Sequence, residues 1–164
     1  MKVFEREVIS ASEVRQLLSA LTALKKGDGS VRLPLEWTGL PGKVSEAFNE
    51  VVDLNEGMAL ELARLRQSVG KEGKLKQRAN LGEVKGFWKD SVGSINALID
   101  DLVHPTSETA RVIGAVAQGD LSQTMAIEVN DRPLQGEFLR AARTINKMVH
   151  QLGSFASEVT RVAR

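Results

Sequence analysis

The sequence predicts an all-α protein built from tandem units of helix, extended connector and helix. Three observations carry this expectation. Apolar residues recur at steps of three and four, glycine-marked connectors separate those stretches, and the whole pattern returns about every fifty residues. The repeat is clearest at asparagine: Phe48-Asn49-Glu50, Ile95-Asn96-Ala97 and Ile145-Asn146-Lys147 place Asn 47 and then 50 residues apart. Upstream of each lies a glycine punctuation, at Gly27-Asp28-Gly29, Gly70-Lys71-Glu72-Gly73 and Gly119-Asp120-Leu121. One such unit supplies two helices and cannot close a four-helix bundle by itself, whereas two copies can. Periodicity without the repeat would equally suit an ordinary helical bundle whose stripes are simply its core.

In the first unit, Val14, Leu17, Leu21 and Leu24 step by 3, 4 and 3, the heptad signature of one narrow apolar stripe. Gly27-Asp28-Gly29 should end that helix, because glycine takes the left-handed conformation that closes helices. Ser30 to Pro41 reads as a connector, with Pro34, Gly39, Pro41 and Gly42 opposing regular structure. A second helix is expected from near Gly42, with Val44, Phe48 and Val51 on one face. It should run on through Met58, Leu62, Leu65 and Val69, with Gly57 a mild penalty and not a break. Near Leu54-Asn55 the stepping lands on polar Asn55, a slip that changes helix phase.

The same order returns. After Gly73 a connector reaches about Gly86, and a helix follows with Trp88, Val92, Ile95, Ile99 and Leu102 at steps of 4, 3, 4 and 3. Pro105 could begin a new helix or kink a continuous one. Ile113 and Val116 carry the face on to Gly119. The last connector spans about Ser122 to Pro133, where Met125, Ile127 and Val129 alternate like a short strand. The final helix carries Phe138, Ala142, Ile145, Val149, Leu152, Val159 and Val162. It reaches Arg164 without a cap, which suggests a segment of a longer protein.

Composition narrows the function classes. Lys and Arg number 22 against 21 Asp and Glu, a net of +1. A nucleic-acid binder needs a field of one sign, so no nucleic-acid partner is expected. The absence of Cys excludes disulfides and Cys-ligated metals and fits a reducing compartment. No stretch approaches the roughly twenty apolar residues of a membrane span, and the start lacks the apolar core of a signal peptide. A soluble, cytoplasmic segment is expected.

The residues that could carry chemistry are few. His104 is followed by Pro105, and His150 by Gln151 and Leu152, so neither resembles a kinase phospho-acceptor, and two distant histidines are no metal signature. No glycine cluster has phosphate-loop spacing. Asp100-Asp101 point in different directions on a helix. The basic stretch Lys71 to Lys89 is offset by Glu72 and Glu83. Trp37 and Trp88 suit packing better than a ligand pocket. No enzyme, no cofactor and no metal are expected.

The order helix, Gly119-Asp120-Leu121-Ser122, extended connector, Glu137-Phe138 and Ile145-Asn146-Lys147-Met148 resembles the HAMP domain. Glu137 lies nine residues before Asn146, where that family has an acidic residue opening its second helix. Leu40 and Phe87 hold that place in the first two units, which depart from the pattern. Gly70 to Leu75, Phe87 to Asp90, Thr109 to Leu121 and Gly153 to Arg164 resemble the poly-HAMP arrays at the N-terminal side of cytoplasmic hybrid histidine kinases.

The resemblance implies three HAMP units, at 12–57, 58–104 (divergent) and 105–164, each a parallel four-helix bundle formed by a homodimer. The dimer core would be Val14, Leu17, Leu21, Leu24, Val44, Phe48, Val51, Met58, Leu62, Leu65, Trp88, Val92, Ile95, Ile99, Leu102, Ile113, Val116, Phe138, Ala142, Ile145, Val149 and Leu152. Connector residues Val31, Leu33, Leu35, Leu75, Leu81, Leu121, Met125 and Ile127 would pack on the bundle. The implied role is to relay helix rotation or repacking towards a kinase domain in the same chain, with a static dimerising stalk as the alternative.

Overall fold

The computed structural model describes residues 8–129 and 132–163. It is all-α apart from one small hairpin, and it divides into two compact units, 1–93 and 94–164.

The first unit opens with α1, Ala11–Lys25. Ser10 caps it: the hydroxyl accepts from the Glu13 amide at 3.2 Å, and the Glu13 carboxylate accepts from the Ser10 amide at 2.7 Å. This reciprocal box satisfies two of the amide groups a helix start leaves orphaned. At the other end Gly27, at φ +94°, sends its amide to the Leu24 carbonyl at 2.9 Å, while Asp28 reaches back to Ala23 at 3.0 Å. That pair of bonds is the Schellman closure that a left-handed residue permits.

Helix α2, Gly39–Leu65, begins three residues before Gly42, the expected start. Pro41 therefore lies inside its first turn, where a missing N–H costs no hydrogen bond and the fixed φ suits the helix. Beyond Leu65 the chain stays helical but widens into a π-helical turn, Arg66–Lys71. Ala20, Leu33, Phe48 and Val52 form the buried cluster of this unit, with Leu17, Leu24, Val31 and Trp37 against it. Each large apolar side chain buried there contributes about 1.5–3 kcal/mol.

Helix α3, Phe87–Ala117, is unbroken, so Pro105 neither starts nor ends it. Pro105 is buried. Around it the hydroxyls of Thr106 and Thr109 donate to the carbonyls of Leu102 and Pro105, at 2.7 and 2.9 Å.

In the second unit α3 closes like α1. Gly119 (φ +82°) donates to Val116 and Asp120 to Ala115, at 3.0 and 2.9 Å. The strand expected across Met125 to Val129 is confined to β1, Glu128–Val129. It pairs antiparallel with β2, Arg132–Pro133, in register Glu128↔Pro133 and Val129↔Arg132. Pro133 is tolerated because a two-residue edge strand asks little of its amides. Helix α4, Gly136–Val162, follows, and Val112, Met125, Ala142 and Val149 form the buried cluster, with Val116, Leu134 and Ile145 against it. Arg164, where the last helix was expected to run out, lies outside the described residues.

Candidate functional site: the connector clamps

A connector between two helices has backbone donors and acceptors that no regular structure satisfies. Here helix side chains satisfy them. The Asn49 side chain, on α2, accepts from the Leu33 amide at 2.8 Å and donates to the Leu33 carbonyl at 3.0 Å. In the second unit Asn146, on α4, does the same to Met125, at 2.7 and 3.0 Å. A carboxamide is the one short side chain that pairs with both groups of a single residue. The gripped residues, Leu33 and Met125, are each a buried centre of their cluster. Ala79, midway between them at 46 residues from either, is buried too, and Asn96 stands half-buried at the corresponding place in α3.

Near the first clamp Ser45, fully buried one turn before Asn49, donates to the Pro34 carbonyl at 2.5 Å. The same turn before Asn146 is held by buried Ala142.

Arginine supplies a second tie. Arg64 pairs with Glu61 at 2.7 Å and donates to Gln77 Oε1 at 3.1 Å and to the Arg78 carbonyl at 2.7 Å. Arg111 pairs with Glu108 at 2.8 Å and donates to Gln123 Oε1 at 2.9 Å and the Thr124 carbonyl at 3.1 Å. Glu61 also accepts from the Asn80 amide at 2.8 Å. The Arg64 hydrogen bond, followed by the Asn80 amide, outweighs burial and holds the Glu61 carboxyl below its usual value. Arg111 does likewise for Glu108. In the first connector the basic residue sits on the connector itself, where Arg32 donates to Asp53 at 2.7 Å and Glu56 at 2.9 Å on α2.

Asp28 and Asp120 shape the connector entrances alike. Each accepts from a serine two residues on, Ser30 or Ser122, through both hydroxyl and amide. Those bonds lower the carboxyl pKa in both cases.

Of the connector residues singled out from sequence, Leu33 and Met125 are buried, and Val31, Leu75, Leu81 and Leu121 are half-buried. Leu35 is 81% exposed because the chain turns there, and Ile127 is 50% exposed at a bend before β1. Of the expected core, Phe48, Leu65, Ala142 and Val149 are buried within the single chain. Leu17, Leu24, Val44, Met58, Trp88, Val92, Ile95, Ile99, Val116 and Ile145 are half-buried. Val14, Leu21, Val51, Leu62, Leu102, Ile113, Phe138 and Leu152 stay exposed. Glu137 lies in the first turn of α4, where a negative charge complements the helix dipole, and pairs with Arg140. Trp88 meets Phe87 edge-on, ring centroids 5.1 Å apart, and His104 and His150 are exposed.

The asparagine repeat is legible in the sequence, but its purpose is not. The signal was present: a polar residue recurring inside an apolar face, always downstream of a connector. The Glu-x-x-Arg pair at 61–64 and again at 108–111 was a second unread signal.

Among the described residues no cluster of His, Cys, Asp and Glu could hold a metal ion, and no helix is long and apolar enough to cross a membrane. Residues 83–154 match the family model of the HAMP domain. That stretch is a HAMP signalling module, a linker type that is non-catalytic. No solved structure matches the chain.

Proposed function

With a HAMP domain at residues 83–154 as premise, we propose that the chain is a dimerising signal relay of three tandem units, at 12–57, 58–104 and 105–164. Two copies associate in parallel, and each unit passes helix rotation or repacking to the next, towards a kinase output domain in the same cytoplasmic chain. The observation that carries this reading is the repeated construction. The clamp of Asn146 on Met125, inside the HAMP stretch, has its counterpart in Asn49 on Leu33, outside it. A unit built twice to one plan argues for an array.

The exposed part of the stripe supports dimerisation. Val14, Leu21, Val51, Leu62, Leu102, Ile113, Phe138 and Leu152 leave apolar surface uncovered on one copy, as half of a bundle would. Small beside large residues, Ala115 next to Val116 and Ala142 near Ile145, suit a core with two packings close in energy. The kinase output rests on the likeness of Gly70 to Leu75 and Thr109 to Leu121 to poly-HAMP arrays.

Light scattering across a concentration series tests the dimer, with a mass near twice 17.9 kDa expected; a stable, folded monomer would overturn it. Relay is separated from a static stalk by cysteine cross-linking between copies at Leu152. Val51→Ala should change the Leu152 cross-linking yield if repacking travels, and leave it unchanged in a stalk.

A further inference from the structure

The middle connector is approached by one residue too many. From buried Ala20 to the closing glycine Gly27 there are seven steps, and from buried Val112 to Gly119 there are also seven; from buried Leu65 to Gly73 there are eight. In a regular α-helix one extra residue turns all that follows by about 100°. Yet the ties on either side of the insertion are those of the other unit. Arg64 reaches Gln77 and the Arg78 carbonyl as Arg111 reaches Gln123 and the Thr124 carbonyl.

The surplus is absorbed in the π-helical turn Arg66–Lys71. There Glu72 donates to Gln67, five residues back, at 3.0 Å, where Lys26 at the end of α1 donates to Thr22, four back. Lys74 likewise reaches six residues back to Ser68, at 2.9 Å, where Asp28 reaches five. The wider turn has a cost: the Ser68 hydroxyl is buried with no hydrogen-bond partner. In an α-helical turn that hydroxyl can donate to the carbonyl four residues back. Single π-helical turns are rare and occur frequently at functional sites.

We propose that Arg66–Lys71 is a register-slip element, in which the surplus residue passes between helix and connector. In the slipped state the helix continues as α beyond Leu65, Ser68 finds its acceptor, and the surplus enters the turn between Gly70 and Gly73. That state turns the connector's origin away from Arg64 and releases Gln77 and Arg78. The Glu61–Arg64 tie therefore holds the unslipped register.

Amide hydrogen exchange on the full chain, read by mass spectrometry, tests this without reference to dimerisation or relay. Residues 66–72 should exchange at least about tenfold faster than 113–118, the corresponding stretch without the insertion. Arg64→Gln should speed exchange at 66–80, while Arg111→Gln leaves 113–118 the slower of the two stretches. Deleting Gly70 restores seven steps and should bring 66–72 level with 113–118; Gly70→Ala, which keeps the length, should leave most of the difference. Equal exchange of the two stretches in the unaltered chain would overturn the proposal, and that comparison needs no variant to fold. So would Gly70→Ala slowing exchange as fully as the deletion, since helix propensity alone would then explain it.

Discussion

Gly57, in the middle of α2, faces Leu81 of the following connector so closely that a Cβ on the glycine would lie 3.1 Å from Leu81 Cδ1. Leu81 is half-buried, and the contact involves the end of a flexible side chain. Gly57→Ala should therefore be near neutral or stabilising by up to about 1 kcal/mol, as the helix-propensity gain offsets a small shift of Leu81. Gly57→Val should destabilise by about 1–3 kcal/mol, because a branched side chain overpacks the contact. Urea denaturation of the two variants checks the difference in sign.

Gly42 gives the opposite expectation. A Cβ there would meet the Trp37 carbonyl oxygen at 2.5 Å, and backbone cannot swing aside as a leucine terminus can. Gly42→Ala should cost about 1–3 kcal/mol, despite the better helix propensity of alanine. Thermal unfolding that matches the unaltered chain would contradict it.

Asn49→Ala should be among the most damaging polar substitutions. It strips the buried Leu33 amide and carbonyl of their partner at once. An unsatisfied buried polar group costs about 1–3 kcal/mol, and no neighbouring side chain replaces a carboxamide. Asn49→Asp keeps the acceptor for the Leu33 amide but loses the donor to the carbonyl, so it too should destabilise. Denaturant midpoints of the pair, compared with Asn146→Ala, measure the weight of the two clamps.

Ser68→Ala should raise stability, by about 1 kcal/mol. The substitution removes a buried hydroxyl that has no partner and improves helix propensity. A lowered denaturation midpoint would show that the hydroxyl is satisfied in solution.

Acid should loosen the arginine ties before it unfolds the helices. Glu61 and Glu108 have folded pKa values below their ordinary ones, chiefly through Arg64 and Arg111. A depressed carboxyl contributes stability that is present above its unfolded pKa, about 4.3, and is lost as pH falls through the folded value. Hydrogen exchange at 77–80 and 123–124 should therefore quicken, relative to the helices, below about pH 4. Glu61→Gln should remove that pH dependence at 77–80.

The helices were legible because heptad stepping and glycine closures are local signals. Val14 to Leu24 and the stop at Gly27 could be read without knowing the fold. The sequence puts the start of α2 late, near Gly42, because Pro41 reads as a breaker, whereas the first turn of a helix accepts proline. The π-helical turn left no propensity signature. It becomes visible only when the steps from Leu65 to Gly73 are set beside those from Val112 to Gly119. The clamps escaped for a different reason: they join residues 16 and 21 apart through backbone atoms, and no side-chain pattern encodes a backbone partner.

Because Asn49 and Asn146 grip main-chain atoms alone, each joint is blind to what its captive residue is. Leucine is held in one place and methionine in another with the same two bonds. The bulk each connector inserts among its helices can thus be exchanged as a separate part, leaving the fastening untouched. A chain assembled this way can tune the stiffness of one segment without redesigning its neighbours.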